Sequence, residues 1–198
     1  MCHRLHTVLH NSWNDTINEE PEAQHYETSI SELCRFAKQS TGFQEQLPKS
    51  LKHGGDTRPW FSMYRRSESV DDSYDVLVQL LTEKDKLSMI ANVSRTINKE
   101  ILTITKSIIE VFEALQKVDE LTLHLVPPSY YLIRKKLSDV PGESKTLTLF
   151  KIKLCKYLDD KFWTSIKAMH WMACFMDPSF KTFSFLPQDK PADIEPIY

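Results

Sequence analysis

Two interleaved apolar series constrain this chain most. One reads Ile90, Ile97, Ile104, Val111, Val118, and its partner reads Leu87, Ser94, Ile101, Ile108, Leu115. Four- and three-residue steps alternate without a slip, which predicts a single long helix over 87–118. At 1.5 Å per residue it would be roughly 45–50 Å long. Val93, Leu102, Ile109 and Phe112 widen the stripe beyond a two-stranded seam. A coiled-coil homo-oligomer is one use of such a helix, but the width favours a core helix in a bundle or array.

The rest of the chain agrees with an all-α, multi-helix array. Its 198 residues suit one domain, or one domain plus a fragment of another. Four glycines leave little material for tight hairpins and many-stranded sheets. Leu5, Val8, Leu9 and Trp13 share a helical face, which Asn14-Asp15-Thr16 is expected to interrupt. Ile30, Leu33, Phe36 and Ala37 form the next stripe, stopped by Gly42 and Pro48. The stretch from Pro48 to Asp56 is the clearest loop. A helix then opens after Asp56 or Thr57 and carries Trp60, Met63, Tyr64, Val70, Tyr74, Leu77 and Leu81 to a break at Thr82–Asp85. Pro127-Pro128 starts another helix, which Pro141-Gly142 ends. Phe150, Leu154, Leu158, Phe162, Ile166 and Met169 predict a last long helix within 147–172. Pro187, Pro191 and Pro196 among charges predict an extended or disordered tail.

Charge and cysteine usage exclude several function classes. A net charge of −2 supplies no global field for nucleic acid, so any such binding must be local. Cys2, Cys34, Cys155 and Cys174 form no CxxC pair, and no apolar leader precedes them. Reduced, buried thiols in a soluble intracellular protein are the expectation. No apolar stretch is long enough to cross a bilayer, so no membrane is expected as a partner. His3, His6 and His10 cluster, but no second Cys/His pair completes a zinc site. No Gly-rich phosphate loop, GxSxG or HExxH is present, and the aspartates at 71, 72, 75, 159 and 160 read as polar helix faces. No catalytic residue and no metal ligand is therefore assigned.

Asp56-Thr57-Arg58-Pro59-Trp60 is more informative. It joins a predicted helix N-terminus, which favours phosphate, to an arginine and a tryptophan. By spacing, Arg58, Ser62, Arg65 and Ser69 share one face, and Trp60, Met63 and Tyr64 another. Arginine grips a phosphate while an aromatic ring stacks on an unpaired base. Arg58, Trp60, Arg65 and Arg66 are accordingly the candidate DNA-binding residues. On composition alone the plainer alternative is favoured, with Trp60 in the core and the arginines solvated.

Three blocks occur in a recognisable order: Cys2-His3-Arg4-Leu5-His6-Thr7-Val8-Leu9, then Thr57-Arg58-Pro59-Trp60, then His170 through Asp177-Pro178-Ser179-Phe180-Lys181 with Phe185-Leu186-Pro187. Together they resemble the middle of the hAT-superfamily (hobo/Activator-type) DNA transposases. The stretch from Leu121 through Pro127 also looks like the family's segment between its last two blocks. The resemblance implies an RNase H-like catalytic domain interrupted by a large helical insertion. Residues 1–13 would be a remnant beside the catalytic domain, 14–186 the helical insertion, and 187–198 an extended tail. The family's two catalytic aspartates lie before the first block and its glutamate beyond the last. This chain would thus be a catalytically incomplete fragment, or a transposase-derived protein, begun at an internal methionine or truncated. It would need no cofactor itself, whereas the intact catalytic domain would use a divalent metal such as Mg.

The resemblance further implies transposon-end DNA as partner and a nuclear location. It gives Arg58 and Trp60 a role in handling the DNA end during hairpin formation. Pro59 stands between them, unlike the commonest family pattern, and His6 occupies the usual asparagine position. The alternative is a helical protein–protein interaction module without a DNA role, associating through the heptad helix.

Overall fold

A computed structural model describes residues 2–40, 42–52, 59–116, 122–138, 140–180 and 182–186, with the backbone alone for 59–61. Nine α-helices run in order among them: α1 (Cys2–Glu19), α2 (Pro21–Gln39), α3 (Pro59–Asp72), α4 (Tyr74–Glu83), α5 (Ser88–Ala91), α6 (Arg95–Leu115), α7 (Val126–Lys136), α8 (Lys145–Tyr157) and α9 (Ala168–Met176). The described residues include no strand. The all-α expectation therefore holds, and one apolar core joins α1 through α8.

α1 is longer than its sequence suggests. Leu5, Val8, Leu9 and Trp13 are buried as expected, and Ser12 and Thr16 are buried with them. Asn14-Asp15-Thr16 does not interrupt it. The Thr16 hydroxyl donates to the Ser12 carbonyl at 2.7 Å, and the Ser12 hydroxyl to the Val8 carbonyl at 2.6 Å, so both are satisfied inside the helix. The helix stops at Glu19, two residues before Pro21, which holds Glu20 in an extended conformation. α1 lies along α8. Trp13 meets Phe150 edge to face at 5.2 Å, and the Tyr157 hydroxyl donates to Asp15 at 2.7 Å.

The continuous helix over 87–118 is corrected. Leu87 is 45% exposed, Ser88–Ala91 forms a separate single turn, and α6 begins at Arg95. Ser94, read as a member of the heptad series, is instead the N-cap, and its hydroxyl accepts the Ile97 N–H at 3.4 Å. Residues 117 and 118 lie outside the described set. What remains of the stripe is core: Ile97, Ile101, Ile104, Ile108, Val111 and Leu115 are all buried. This is the core-helix reading, so α6 offers no free apolar seam to a partner.

α4 ends where the break was expected. Asp85 takes φ 54°, Lys86 N–H donates to Leu81 at 2.7 Å, and Asp85 N–H donates to Thr82 at 3.1 Å. This is a Schellman stop with aspartate in the left-handed position. The break at Ser73, between α3 and α4, was not anticipated.

The last predicted helix is also divided. α8 passes into a π-helical turn at Leu158–Phe162 and a 3-10 turn at Trp163–Ser165. Leu158 and Phe162 remain in the core. Thr164 and Ser165 then donate back to Asp160 and Phe162, competing with continued α-helix. Lys167 is extended, and α9 starts anew with the Lys167 N–H donated to His170 Nδ1 at 2.9 Å.

Candidate nucleic-acid interface

α3 begins at Pro59, a residue suited to a first helical turn because its missing N–H has no partner there anyway. No acidic residue occupies that turn. The Thr57-Arg58-Pro59-Trp60 block therefore does fall at a helix N-terminus. Asp56, Thr57 and Arg58 themselves lie outside the described residues, and Trp60 enters through its backbone alone.

The two following arginines have different settings. Arg66 is drawn into the molecule. Its guanidinium pairs with Glu27 of α2 and donates to Ser31 Oγ at 2.9 Å. The same Glu27 carboxylate accepts the Trp13 indole N–H at 3.2 Å. One carboxylate thus ties α1, α2 and α3 together, and Arg66 satisfies a half-buried anion. Arg65, one residue earlier, is exposed. It lines a shallow groove of about 390 Å³ between α3 and α6 with Tyr64, Glu68, Lys106, Ile109, Glu110 and Glu113. Three carboxylates against two cations make that groove unfavourable to phosphate. The Tyr64 hydroxyl donates to Glu68 at 2.7 Å, and burial and that carboxylate both hold it well above the usual tyrosine range. Lys49 bridges Glu68 at 3.4 Å and Asp72 at 2.7 Å, and its pKa is raised chiefly by Asp72.

The face expected from spacing to be polar is not one surface. Ser62 and Ser69 are buried. Ser69 Oγ accepts the Lys52 N–H at 3.1 Å and donates to the Arg66 carbonyl at 2.8 Å. Met63 is core, as its face predicted, and Tyr64 is half-buried. Arg65 and Arg66 are therefore not brought together as one basic site.

Beneath α3 lies a buried polar knot. The Tyr26 hydroxyl donates to Asn98 Oδ1 at 2.6 Å and lies 2.9 Å from Ser67 Oγ, while Asn98 Nδ2 donates to the Ser67 carbonyl at 3.3 Å. All three residues are buried. The knot joins the middle of α3 to α2 and α6.

The Cys34 thiol is pushed up to about 12 and the Cys174 thiol to about 11, both mainly by burial, so neither is a ready nucleophile. His3, His6 and His10 stack along α1 with ring centroids 6.5 and 6.3 Å apart. Among the described residues no group of three or more His, Cys, Asp or Glu is gathered to hold a metal ion. None of the described helices is long and apolar enough to cross a membrane.

A second surface escaped the sequence reading. Trp163 is the hub of an aromatic cluster, with Tyr130 at 4.7 Å, Tyr131 at 5.9 Å and Trp171 at 6.1 Å between centroids. Phe185 continues it to Tyr131 and Phe180, each at 5.8 Å. Beside it α9 buries only His170 and Cys174, and the Cys174 thiol donates to the His124 carbonyl at 2.8 Å. Met169, read from spacing as part of a core stripe, is exposed instead. The available signal was the nine-residue run Ala168–Met176, which contains no charged residue other than what His170 could carry.

Comparison with family models returns no match for this chain, and no curated protein matches it.

Proposed function

We propose that this chain is the helical insertion region of a hAT-type DNA transposase, or of a protein derived from one, and that it acts as a scaffold for DNA-end handling at the start of α3. The support is the order of the three blocks together with their positions on an all-helical fold. The first opens α1, the second falls on the N-terminus of α3, and the third spans α9 and the 3-10 turn Pro178–Phe180. A helix N-terminus suits a phosphate, and Arg58 and Trp60 would add a cation and a stacking ring. On this reading Arg66 belongs to the scaffold, and phosphate contacts belong at Arg58 rather than along the acidic groove beside Arg65. Strand cleavage would require carboxylates and a divalent metal from elsewhere in an intact nuclear transposase.

The test is fluorescence anisotropy of the full chain with labelled hairpin DNA at low salt. Trp60→Ala and Arg58→Ala should each weaken binding by roughly tenfold, whereas Arg65→Ala should leave it unchanged. Absence of binding at low salt refutes the DNA role. Magnesium-dependent cutting by the chain alone refutes its catalytic incompleteness.

A second reading rests on a separate observation, the exposed apolar face of α9. On it the chain is a helical protein–protein interaction module without a DNA role. Its docking surface would be α9 and not α6, whose stripe is internal.

A further inference from the structure

α1 carries three imidazoles on one stripe. His3, His6 and His10 recur at three- and four-residue steps, so their rings follow one another along one side of the helix. His3 is exposed, and His6 and His10 are half-buried. The DNA contact proposed at Arg58 and Trp60 does not draw on them.

The His6–His10 pair is set like a chelate. Four residues of helix separate the two by about one turn, or about 6 Å along the axis. Their ring centroids are 6.3 Å apart and their planes 6° from parallel. A metal ion sits about 2.0–2.1 Å from an imidazole nitrogen, and hence about 3 Å from the centroid of that ring. One ion therefore spans the pair after small side-chain rotations. The His3–His6 rings match less well, at 6.5 Å and 23°. His3 also lies about 10 Å along the axis from His10, too far to share an ion with it.

Asn14 supplies a partner behind the pair. It stands four residues beyond His10, and its amide nitrogen lies 3.1 Å from His10 Nε2. That amide nitrogen can only donate, so it holds Nε2 as an acceptor. Turning the amide over presents Oδ1 instead, which accepts an Nε2–H and leaves Nδ1 to bind a metal. Metal-binding histidines hold their other ring N–H in such a bond, which fixes both tautomer and ring orientation.

We propose that His6 and His10 form a two-histidine chelate for a divalent transition ion of the zinc class, with Asn14 as the positioning residue for His10. Imidazole suits zinc, nickel and copper, whereas magnesium and calcium prefer oxygen ligands. The site differs from a structural zinc site, which takes four protein ligands. Water fills the remaining positions, so the ion is exchangeable. It is also separate from the magnesium that strand cleavage would require.

Isothermal titration calorimetry of the full chain with zinc chloride tests this. A Cys2→Ser background removes the thiol four residues before His6. One saturable site per chain is expected, and magnesium chloride should show none. His10→Gln should weaken zinc binding by about a hundredfold and Asn14→Ala by about tenfold. His3→Gln should leave it unchanged, with circular dichroism verifying that each variant is folded. In nuclear magnetic resonance spectra, zinc should shift the ring signals of His6 and His10 more than those of His3. The proposal is overturned by the absence of a saturable site, by zinc binding that survives His10→Gln, or by equal losses in His3→Gln and His10→Gln. An Asn14→Ala protein that binds zinc as tightly as its parent overturns the positioning role. Each of these outcomes is independent of hairpin DNA binding, which the Arg58 and Trp60 variants test.

Discussion

Arg66 separates the interior role from the DNA-contact role most sharply. As a phosphate contact, its loss would weaken DNA binding and lower its salt dependence while leaving stability untouched. As the partner of Glu27, its loss leaves a carboxylate inside the α1–α2–α3 junction with only the Trp13 indole and Ser31 hydroxyl as donors. Exposed ion pairs contribute about 0–1 kcal/mol, and breaking a buried pair costs about 3–5 kcal/mol. The side chains here are 13% exposed for Arg66 and 25% for Glu27, which places the pair nearer the buried limit. Arg66→Ala should therefore destabilise the fold by roughly 2–3 kcal/mol. A domain of this size shifts its midpoint by about 2–4 °C per kcal/mol, so the thermal midpoint should fall by about 4–12 °C.

The double variant supplies the control. Glu27→Gln keeps an acceptor for Trp13, and Arg66→Met keeps the volume of the arginine stem. Together they remove both charges, and the combined variant should lie within about 1 kcal/mol of the parent although each single change is costly. Urea unfolding followed by circular dichroism measures the parent, Arg66→Ala, both single variants of the pair and the double variant, with a constant slope confirming that the unfolded states are comparable. If Arg66→Ala stays within about 0.5 kcal/mol of the parent and weakens hairpin DNA binding, the interior assignment is wrong.

Two further changes test the scaffold. Tyr26→Phe removes the hydroxyl that joins Asn98 and Ser67, and leaving a buried acceptor short of a donor should cost about 1–3 kcal/mol in urea unfolding. Burial raises the Tyr26 pKa above its ordinary value of 10.0, so the folded state holds that proton more tightly than the unfolded chain. This contribution is complete below about pH 10 and is lost as pH rises towards the folded value; the parent should accordingly lose stability above about pH 10 more steeply than Tyr26→Phe, and equal slopes would remove the argument. Asp85→Gly should raise stability by about 0.5–1 kcal/mol, because the left-handed stop at φ 54° suits glycine; a loss of stability would mean that the aspartate side chain contributes there.

The helices were legible wherever one face alone is apolar. α6 declared its buried residues through spacing, and a helix start close to Pro59 was legible, although the expected caps Asp56 and Thr57 lie outside the described residues. The errors have a common physical origin. Asn14-Asp15-Thr16 looked like a stop because its polar residues favour turns, but Thr16 satisfies itself on the preceding carbonyl and Asp15 reaches Tyr157 of α8. Ser94 looked like a tolerated heptad position because a cap and a core serine are the same residue in sequence. Arg66 looked like a surface cation because its partner, Glu27, lies on another helix. Tertiary pairing decided each case, and periodicity carries no information about it. Met169 and its neighbours failed in the opposite direction. An apolar stripe marks something to be covered, not what covers it.

The contact of α1 with α8 also governs the order in which the chain can fold. Lys153 reaches Glu19 across 134 residues and Tyr157 reaches Asp15 across 142. At a synthesis rate of about 5–20 residues per second, α8 leaves the ribosome roughly 7–30 s after α1. For that interval Leu5, Val8, Leu9 and Trp13 lack their main partner surface. Until then α2 is the neighbour already made, and slowing translation between α1 and α8 lengthens the interval in which the α8-facing side of α1 is uncovered.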